Sequence, residues 1–459
     1  MPKIARRIKE HVDGKSVFKH ELNVHRTEEG SVKVIEFDHK TLRQAPVATR
    51  HFHFPHKIRP APVVTHPPTL RTVSPRQSVF QGHRFAVRSA TTITGPESLT
   101  RPVTREQLKQ LIKKTFIVNP QNPFLTYYAP VGGSFGVVGK HHMQNLPHAG
   151  WNVHWVPLNV TTNRRMGYPS QIGIIHPLLY WGIPGWASAV GRQHYRQAHK
   201  KIAGFEVADS DAIGKGAISL VNKVDLLMVP GETAKAAFVN SGAEIPVEVV
   251  QHGLSDVYSA PKNSFSSIPE DGVKILYFQL HSRWRKGGDV VEKVMSRILK
   301  ERKDVKLVLR LGANKELAKL PQTICVNWLS ERDLVHLYDS CDILFAPSRG
   351  GACELNVLEA LARGLVVETS SYPSIKEYAE GALFIKDKGR VRVLPGNSIH
   401  IGKGSNPDPD HAYELMNYAI DNLAELKKKA EALAPKFREK YSWRNTAKCM
   451  AEVLGRLAA

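Results

Sequence analysis

The strongest constraint on this chain is a run of short apolar segments that alternate with helical periodicity from residue 272 onward. In order, "VKILYFQL", a helical stretch from Asp289 to Arg302, "VKLVLRLG", "ICVNWL", "ERDLVHLYDSC", "DILFAPS", "ELNVLEALARG" and "LVVETS" follow one another. Apolar runs of strand length with no in-out alternation are buried on both faces, so this order predicts a parallel sheet with helices on either side. A second series lies upstream. There "FLTYYAPVGGSFGVVGKHHMQNLPHAGWNVHWVPL" reads as strand, glycine loop, helix and strand. It continues through "VDLLMVP", the helix "GETAKAAFVNSGA" closing near Gly242, and "PVEVVQHGL". The polar, proline-bearing "SAPKNSFSSIPEDG" between the two has the composition of a linker. The expected architecture is therefore α/β: a doubly wound domain over 122–258, a linker over 259–271 and a second doubly wound domain over 272–440, facing each other across a cleft.

Residues 1–121 have a different character. They carry 22 Lys and Arg against 9 Asp and Glu, so +13 of the +22 net charge lies in the first quarter of the 459 residues. From about Ala45 to Pro102 the chain is rich in Pro, His, Thr and Arg without helical periodicity, which predicts an extended or disordered basic extension. Within it "SVKVIEFDHK" alternates as a short strand does, and "VTREQLKQLIKKTF" reads as a helix capped by Thr104. A basic balance of this kind suits polyanions, and equally a solvated surface. His51, His53 and His56 have no acidic or cysteine partner nearby, and no metal site is expected there.

Four cysteines without finger or CxxC spacing imply a reducing, cytoplasmic setting. No apolar run is long enough to span a bilayer and no signal peptide is indicated, so membrane contact is expected to be peripheral if it occurs.

Ligands bind at strand C-termini in open α/β sheets, and three features of the second domain gather there. "HSRWRKGGD" brings Arg283, Arg285 and Lys286, cations suited to a diphosphate, with Gly287 behind them. "SRGGACELNVLEA" brings the backbone of Gly350, Gly351, Ala352, Cys353 and Leu355 at a helix start, together with Glu354 and Glu359. "SSYPSIKEY" follows the next strand. Carboxylates accept hydrogen bonds from hydroxyls, so Glu354 and Glu359 suit a ribose or hexose. Glu354 equally fits a charge complementing the helix dipole. In the first domain Gly132 and Gly133 permit close approach of a ligand, or simply a tight turn, while Glu206, His141, His142 and His252 are cleft candidates.

These segments resemble the group-1 family of retaining, nucleotide-sugar-dependent glycosyltransferases with the GT-B fold, built of two Rossmann-like domains. The resemblance spans roughly Phe124 to the C-terminus. It is carried by "RKGGDVV", "LVHLYDSCDILFAPSRGG…ELNVLEALARGLVVETS" and the closing "KFREKYSWRNTAKCM", whose helix over 441–459 is expected to cross back to the first domain. "AGFEVADSDAI" and the "APVGGSFGVVG" loop look like the family's acceptor half. The resemblance implies that Lys286 binds the donor diphosphate and that Glu359, the second of the family's paired glutamates, holds the ribose. The first glutamate's position is Gly351 here, a departure, and the family's phosphate arginine falls near His281.

The implied activity is metal-independent, retaining transfer of a hexose from a UDP- or GDP-linked donor to an acceptor hydroxyl on a glycan, lipid-linked or protein acceptor, with no tightly bound cofactor. Arg283 and Lys286 would stabilise the leaving diphosphate, and Glu354 would face the sugar. Two other readings stay open. One is a sugar transferase acting on modified DNA, gripping this polyanion through residues 1–121. The other is a non-catalytic binding or assembly protein whose site decayed at Gly351.

Overall fold

The computed structural model describes residues 20–26, 32–38, 48–52, 90–93, 115–116, 119–157, 169–179, 189–279, 282–310 and 316–459. The chain divides into two compact units. In the first, strands β1 (His20–Arg26), β2 (Val32–Asp38) and β3 (Ala48–Phe52) form an antiparallel sheet in that order. The alternating segment "SVKVIEFDHK" supplies β2. Most of the helix expected over "VTREQLKQLIKKTF" lies outside the described residues, as do His53 and His56, but its last two residues, Thr115 and Phe116, form a short strand instead, paired into a sheet edge.

The second unit contains both α/β series, preceded by two short strands, β4 (Ala90–Ile93) and β5 (Thr115–Phe116). Its first series runs β6 (Phe124–Ala129), α1 (Gly133–Asn145), β7 (Asn152–Pro157), β8 (Ser170–Ile175), α2 (Ala189–Ala198), β9 (His199–Phe205), α3 (Lys215–Val221), β10 (Leu226–Val229), α4 (Glu232–Asn240) and β11 (Val247–Val249). The sheet order is β11-β10-β9-β8-β6-β7-β5, parallel except for β5. The second series is β12 (Val273–Phe278), α5 (Gly288–Glu301), β13 (Val305–Arg310), β14 (Thr323–Val326), α6 (Glu331–Asp339), β15 (Ile343–Ala346), α7 (Leu355–Arg363), β16 (Val366–Ser370), α8 (Pro373–Lys376) and β17 (Leu383–Ile385). Its order is β17-β16-β15-β12-β13-β14-β4, parallel throughout. Both sheets are thus parallel and helix-covered, as the strand–helix alternation predicts. The strand order reverses at β12, between β15-β12 and β12-β13, the kind of switch point at which open α/β sheets take ligands, so the C-terminal end of β12 is the place to look for a site.

A hairpin of β18 (Asp387–Arg392) and β19 (Lys403–Pro407) follows, then α9 (Pro409–Asp421), α10 (Leu423–Lys440) and α11 (Trp443–Ala458). Asp408, of the acidic "DPD", caps α9 by accepting from the Asp410 amide at 2.9 Å. Helix α11 packs Met450, Val453 and Leu454 into the core of the first series with Trp151 and Leu146. Leu254 and Tyr441 exchange backbone contacts there, the Leu254 amide donating to the Tyr441 carbonyl at 2.6 Å.

Candidate active site

The turn after β12 is shaped by one glycine. Gly287 has φ 69°, and a Cβ on it would strike the Pro347 carbonyl, so only glycine lets this turn lie against the loop that follows β15. The Arg349 amide donates to the Arg285 carbonyl at 2.7 Å and locks the two loops together. That contact brings Arg285 and Lys286 onto Glu354.

Glu354 is buried at the start of α7 and ion-paired on both oxygens, to Lys286 through Oε2 and to Arg285 Nη1 through Oε1 at 3.1 Å. Arg285 Nη1 also donates to the Gly350 carbonyl at 3.1 Å and lies 3.5 Å from Asp209 of the first series. Burial holds the Lys286 ammonium below its ordinary pKa, and the Glu354 carboxylate opposes that shift. A Cβ at Gly351 would run into Glu354 Oε1 and come within 3.2 Å of Arg285 Nη1. The space where a side chain at 351 would project is therefore filled by the Glu354 carboxylate. Arg283, grouped with Lys286 on sequence alone, is exposed and pairs instead with Glu292 on the outer side of α5. His281 lies outside the described residues.

Glu359 sits one turn further along α7, where its Oε2 accepts from the Tyr338 hydroxyl at 2.6 Å. Burial lifts its pKa to about 7, with the Tyr338 hydroxyl pulling the other way. The Arg310 charge at the end of β13 also favours the ionised form. Sequence reasoning did not single out Arg310 or its neighbour Gln279. Both are buried, Arg310 Nε and Nη1 and both Gln279 amide atoms have no hydrogen-bond partner among the described residues, and Arg310 lies 4.4 Å from the ring centre of Trp328. Buried polar groups are normally paired, so these atoms are candidates to meet a ligand. Only a polar residue at a strand's C-terminal end could have flagged them in the sequence.

In the first series, Gly132 and Gly133 begin α1 with open space where their Cβ atoms would be, and Gly133 has φ 74°. Glu206 is fully buried, accepting from the Leu179 amide at 2.6 Å and the Val207 amide at 2.9 Å. Burial raises its pKa to about 8. His142 and His252 belong to a larger buried group that includes His176, which the sequence reading missed. The Tyr127 hydroxyl meets His142 Nδ1 at 2.7 Å and His176 Nδ1 at 2.9 Å, and His252 stacks on Phe205. Burial drives His176 and His252 down to about 3 and His142 well below its ordinary value, so all three rings are neutral near pH 7. His141 instead stacks on Trp443 and lies 3.3 Å from Glu331.

The two series meet across this site. Pro230, Gln251 and His252 face Cys353, Leu358, Glu377, Tyr378 and Tyr441 around a space of only about 10 Å³. Ala352 packs into the hydrophobic core of the first series, and Leu355 opens α7. Among the described residues, no helix is long and apolar enough to cross a membrane.

A family model described as "Glycosyl transferases group 1" matches residues 273–393, the stretch from β12 to the first strand of the hairpin. A protein of Sulfolobus islandicus filamentous virus named "Putative glycosyltransferase 45" is 32% identical over 292 residues, covering 61% of this chain and 78% of the viral protein. Sucrose-phosphate synthase from Thermosynechococcus elongatus superposes with a TM-score of 0.55 at 13% identity, over 73% of this chain and 99% of the other. The Anabaena protein HepE, solved in complex with UDP-glucose, superposes at 0.54 with 15% identity, over 73% and 100% respectively. Paired parallel sheets, a cationic turn after β12 and these matches together place the chain in the group-1 glycosyltransferase family, with the GT-B fold.

Proposed function

We propose that this glycosyltransferase moves a hexose from a UDP- or GDP-linked donor to an acceptor hydroxyl, with retention and with protein cations serving the diphosphate. The observation that carries this reading is the convergence of Lys286 and Arg285 with Glu354 and Glu359 at the C-terminal end of β12, the switch point of the second sheet. In the ligand-free arrangement Glu354 neutralises both cations. A donor diphosphate would compete for Lys286 and Arg285, freeing Glu354 to accept hydrogen bonds from sugar hydroxyls. Glu359 would hold the ribose, and the orphaned Gln279 and Arg310 would serve the nucleoside end. As the C1–phosphate oxygen bond breaks, negative charge builds on the departing diphosphate, and cations placed beforehand in a dry site stabilise it. The acceptor oxygen bonds to C1 on the same face, and its proton leaves with the diphosphate. Parting and re-closing of the two sheets would admit the donor and then exclude water. HepE, whose solved complex holds UDP-glucose, favours UDP over GDP as the first donor to try.

A thermal-shift titration with UDP, GDP and their hexose conjugates tests this reading. We expect stabilisation by one nucleotide series that disappears in Lys286→Ala and Glu359→Gln. No shift with any nucleotide would overturn the donor site and leave a GT-B protein with a binding or assembly role. A transfer assay on glycan, lipid-linked and protein acceptors, and on DNA, then identifies the acceptor. Steep loss of DNA binding with salt would mark residues 1–121 as its grip.

A further inference from the structure

The second sheet carries a cavity of about 530 Å³ that none of Lys286, Glu354 and Glu359 lines. It opens between the first three turns of α5 and the start of α9, beside the β18–β19 hairpin. A volume of this order accommodates a small metabolite.

Four cations and two carboxylates line it, and the carboxylates are already engaged. Asp289 receives the buried Arg349 in a bidentate pair at 2.7 and 2.8 Å. Asp410 lies 3.3 Å from Arg297 and 3.4 Å from Lys388, and Lys388 is held more closely by Asp408 at 2.8 Å, which leaves Lys293 as the cation to account for. Lys293, exposed on the same face of α5, has no ion pair with any described carboxylate. The local balance therefore leaves uncompensated positive charge beside an open volume. One wall of that volume is a fixed aromatic plate. The Trp284 indole N–H donates to the Arg392 carbonyl at 2.9 Å, Arg349 lies 3.6 Å over its ring, and 40% of the residue stays exposed. Pro407 and Pro409 add apolar surface. An uncompensated lysine beside flat apolar walls suits a compact dianion carried on a ring.

We propose that this cavity is a second ligand site, separate from the donor cleft, that binds a phosphate monoester. Lys293 meets the phosphate, with Arg297 and Lys388 contributing field, and the ring of the ester lies along Trp284 and the prolines. The ring could be a sugar or a nucleoside, and the shared chemistry is the monoester.

The test is isothermal titration calorimetry of the full chain with glucose 6-phosphate, AMP and inorganic phosphate, each at up to millimolar concentration. At least one ester is expected to bind, and Lys293→Ala, a surface change, to weaken it about tenfold, the usual scale for a charge-assisted hydrogen bond. Lys286→Ala, which disables the proposed donor cleft, is expected to leave this binding unchanged. Whichever ester binds identifies the ring, and Trp284→Phe should weaken it more than it weakens inorganic phosphate. Absence of heat with all three ligands would overturn the proposal. So would binding that survives Lys293→Ala but is lost in Lys286→Ala, because the ligand would then occupy the donor cleft. Inorganic phosphate binding as tightly as either ester would overturn the role given to the Trp284 wall.

Discussion

Glu377, at the C-terminal end of α8 in the second series, seats its carboxylate on the N-terminus of α4 in the first series. Oε2 accepts from the Glu232 amide at 2.9 Å, and Oε1 accepts from the Thr233 amide at 2.7 Å and from the Thr233 hydroxyl. The α4 dipole adds to this attraction. Hydrogen bonds to an ionised group contribute about 1.5 to 3 kcal/mol each, and the half-exposed position lowers that, so Glu377→Ala should cost about 2 to 4 kcal/mol in all. The approach is possible because residue 231 is glycine. A Cβ there would lie 2.5 Å from Glu377 Oε2, with Ala352 O next at 3.7 Å, and the Gly231 backbone is extended at φ −171°. Gly231→Ala therefore imposes no backbone strain and acts through the collision alone, for about 1 to 2 kcal/mol. The two changes should not add. In a Glu377→Ala background the collision has no partner, and Gly231→Ala should be nearly neutral, giving a coupling of about 1 to 2 kcal/mol in a double-mutant cycle. Calorimetric melting of the four proteins reads this as a drop of a few degrees for each single variant and no further drop for the pair. Additive losses would refute the reasoning, since they would mean that Gly231 and Glu377 act at independent places.

Other outcomes follow from the buried charges. Glu368 on β16 is fully buried with no hydrogen-bond partner on either oxygen among the described residues, and burial raises its pKa well above normal. Above pH 4.5 the folded chain then holds a proton that the unfolded chain has lost, so its contribution to stability falls as pH rises. Glu368→Gln should match the parent near pH 4 and exceed it increasingly toward pH 8 by thermal melting; a constant difference would sink the assignment. Glu359 follows the same sign with a folded value of about 7, so proton release on binding a ribose that requires the carboxylate should be measurable near neutrality by calorimetry in two buffers. Gly351→Glu should weaken nucleotide binding rather than restore a paired glutamate, because the Glu354 carboxylate fills that space; tighter binding would show that Glu354 yields readily. The imidazoles of His176 and His252 should stay neutral in an NMR titration down to about pH 4.

Much of this was legible in the sequence because it depends on local pattern. Buried strands such as "VKILYF" and "DILFAPS" declare a two-sided parallel sheet through their unbroken apolar character, and Gly132 and Gly287 stand where the following helices begin. Lys286, Glu354 and Glu359 stood out as candidates in the sequence because each lies in a loop or helix start that follows a buried strand. Which cation meets Glu354 was not legible. Arg283 and Arg285 are two residues apart in a turn, and only the packing of Gly287 against Pro347 turns Arg285 inward and leaves Arg283 with Glu292.

The sequence by itself determined the class of the fold, the order of its elements and the ends of the strands where chemistry gathers, since strand and helix periods and glycine positions are properties of adjacent residues. Tertiary structure alone decided the partners. The Glu377 seat on α4, the grouping of Tyr127 with His142 and His176, the orphaned Gln279 and Arg310, and the cavity beside Trp284 all join residues tens to hundreds of positions apart. Such contacts form only when two sheets and their crossover helices have packed, and no local pattern encodes that distance.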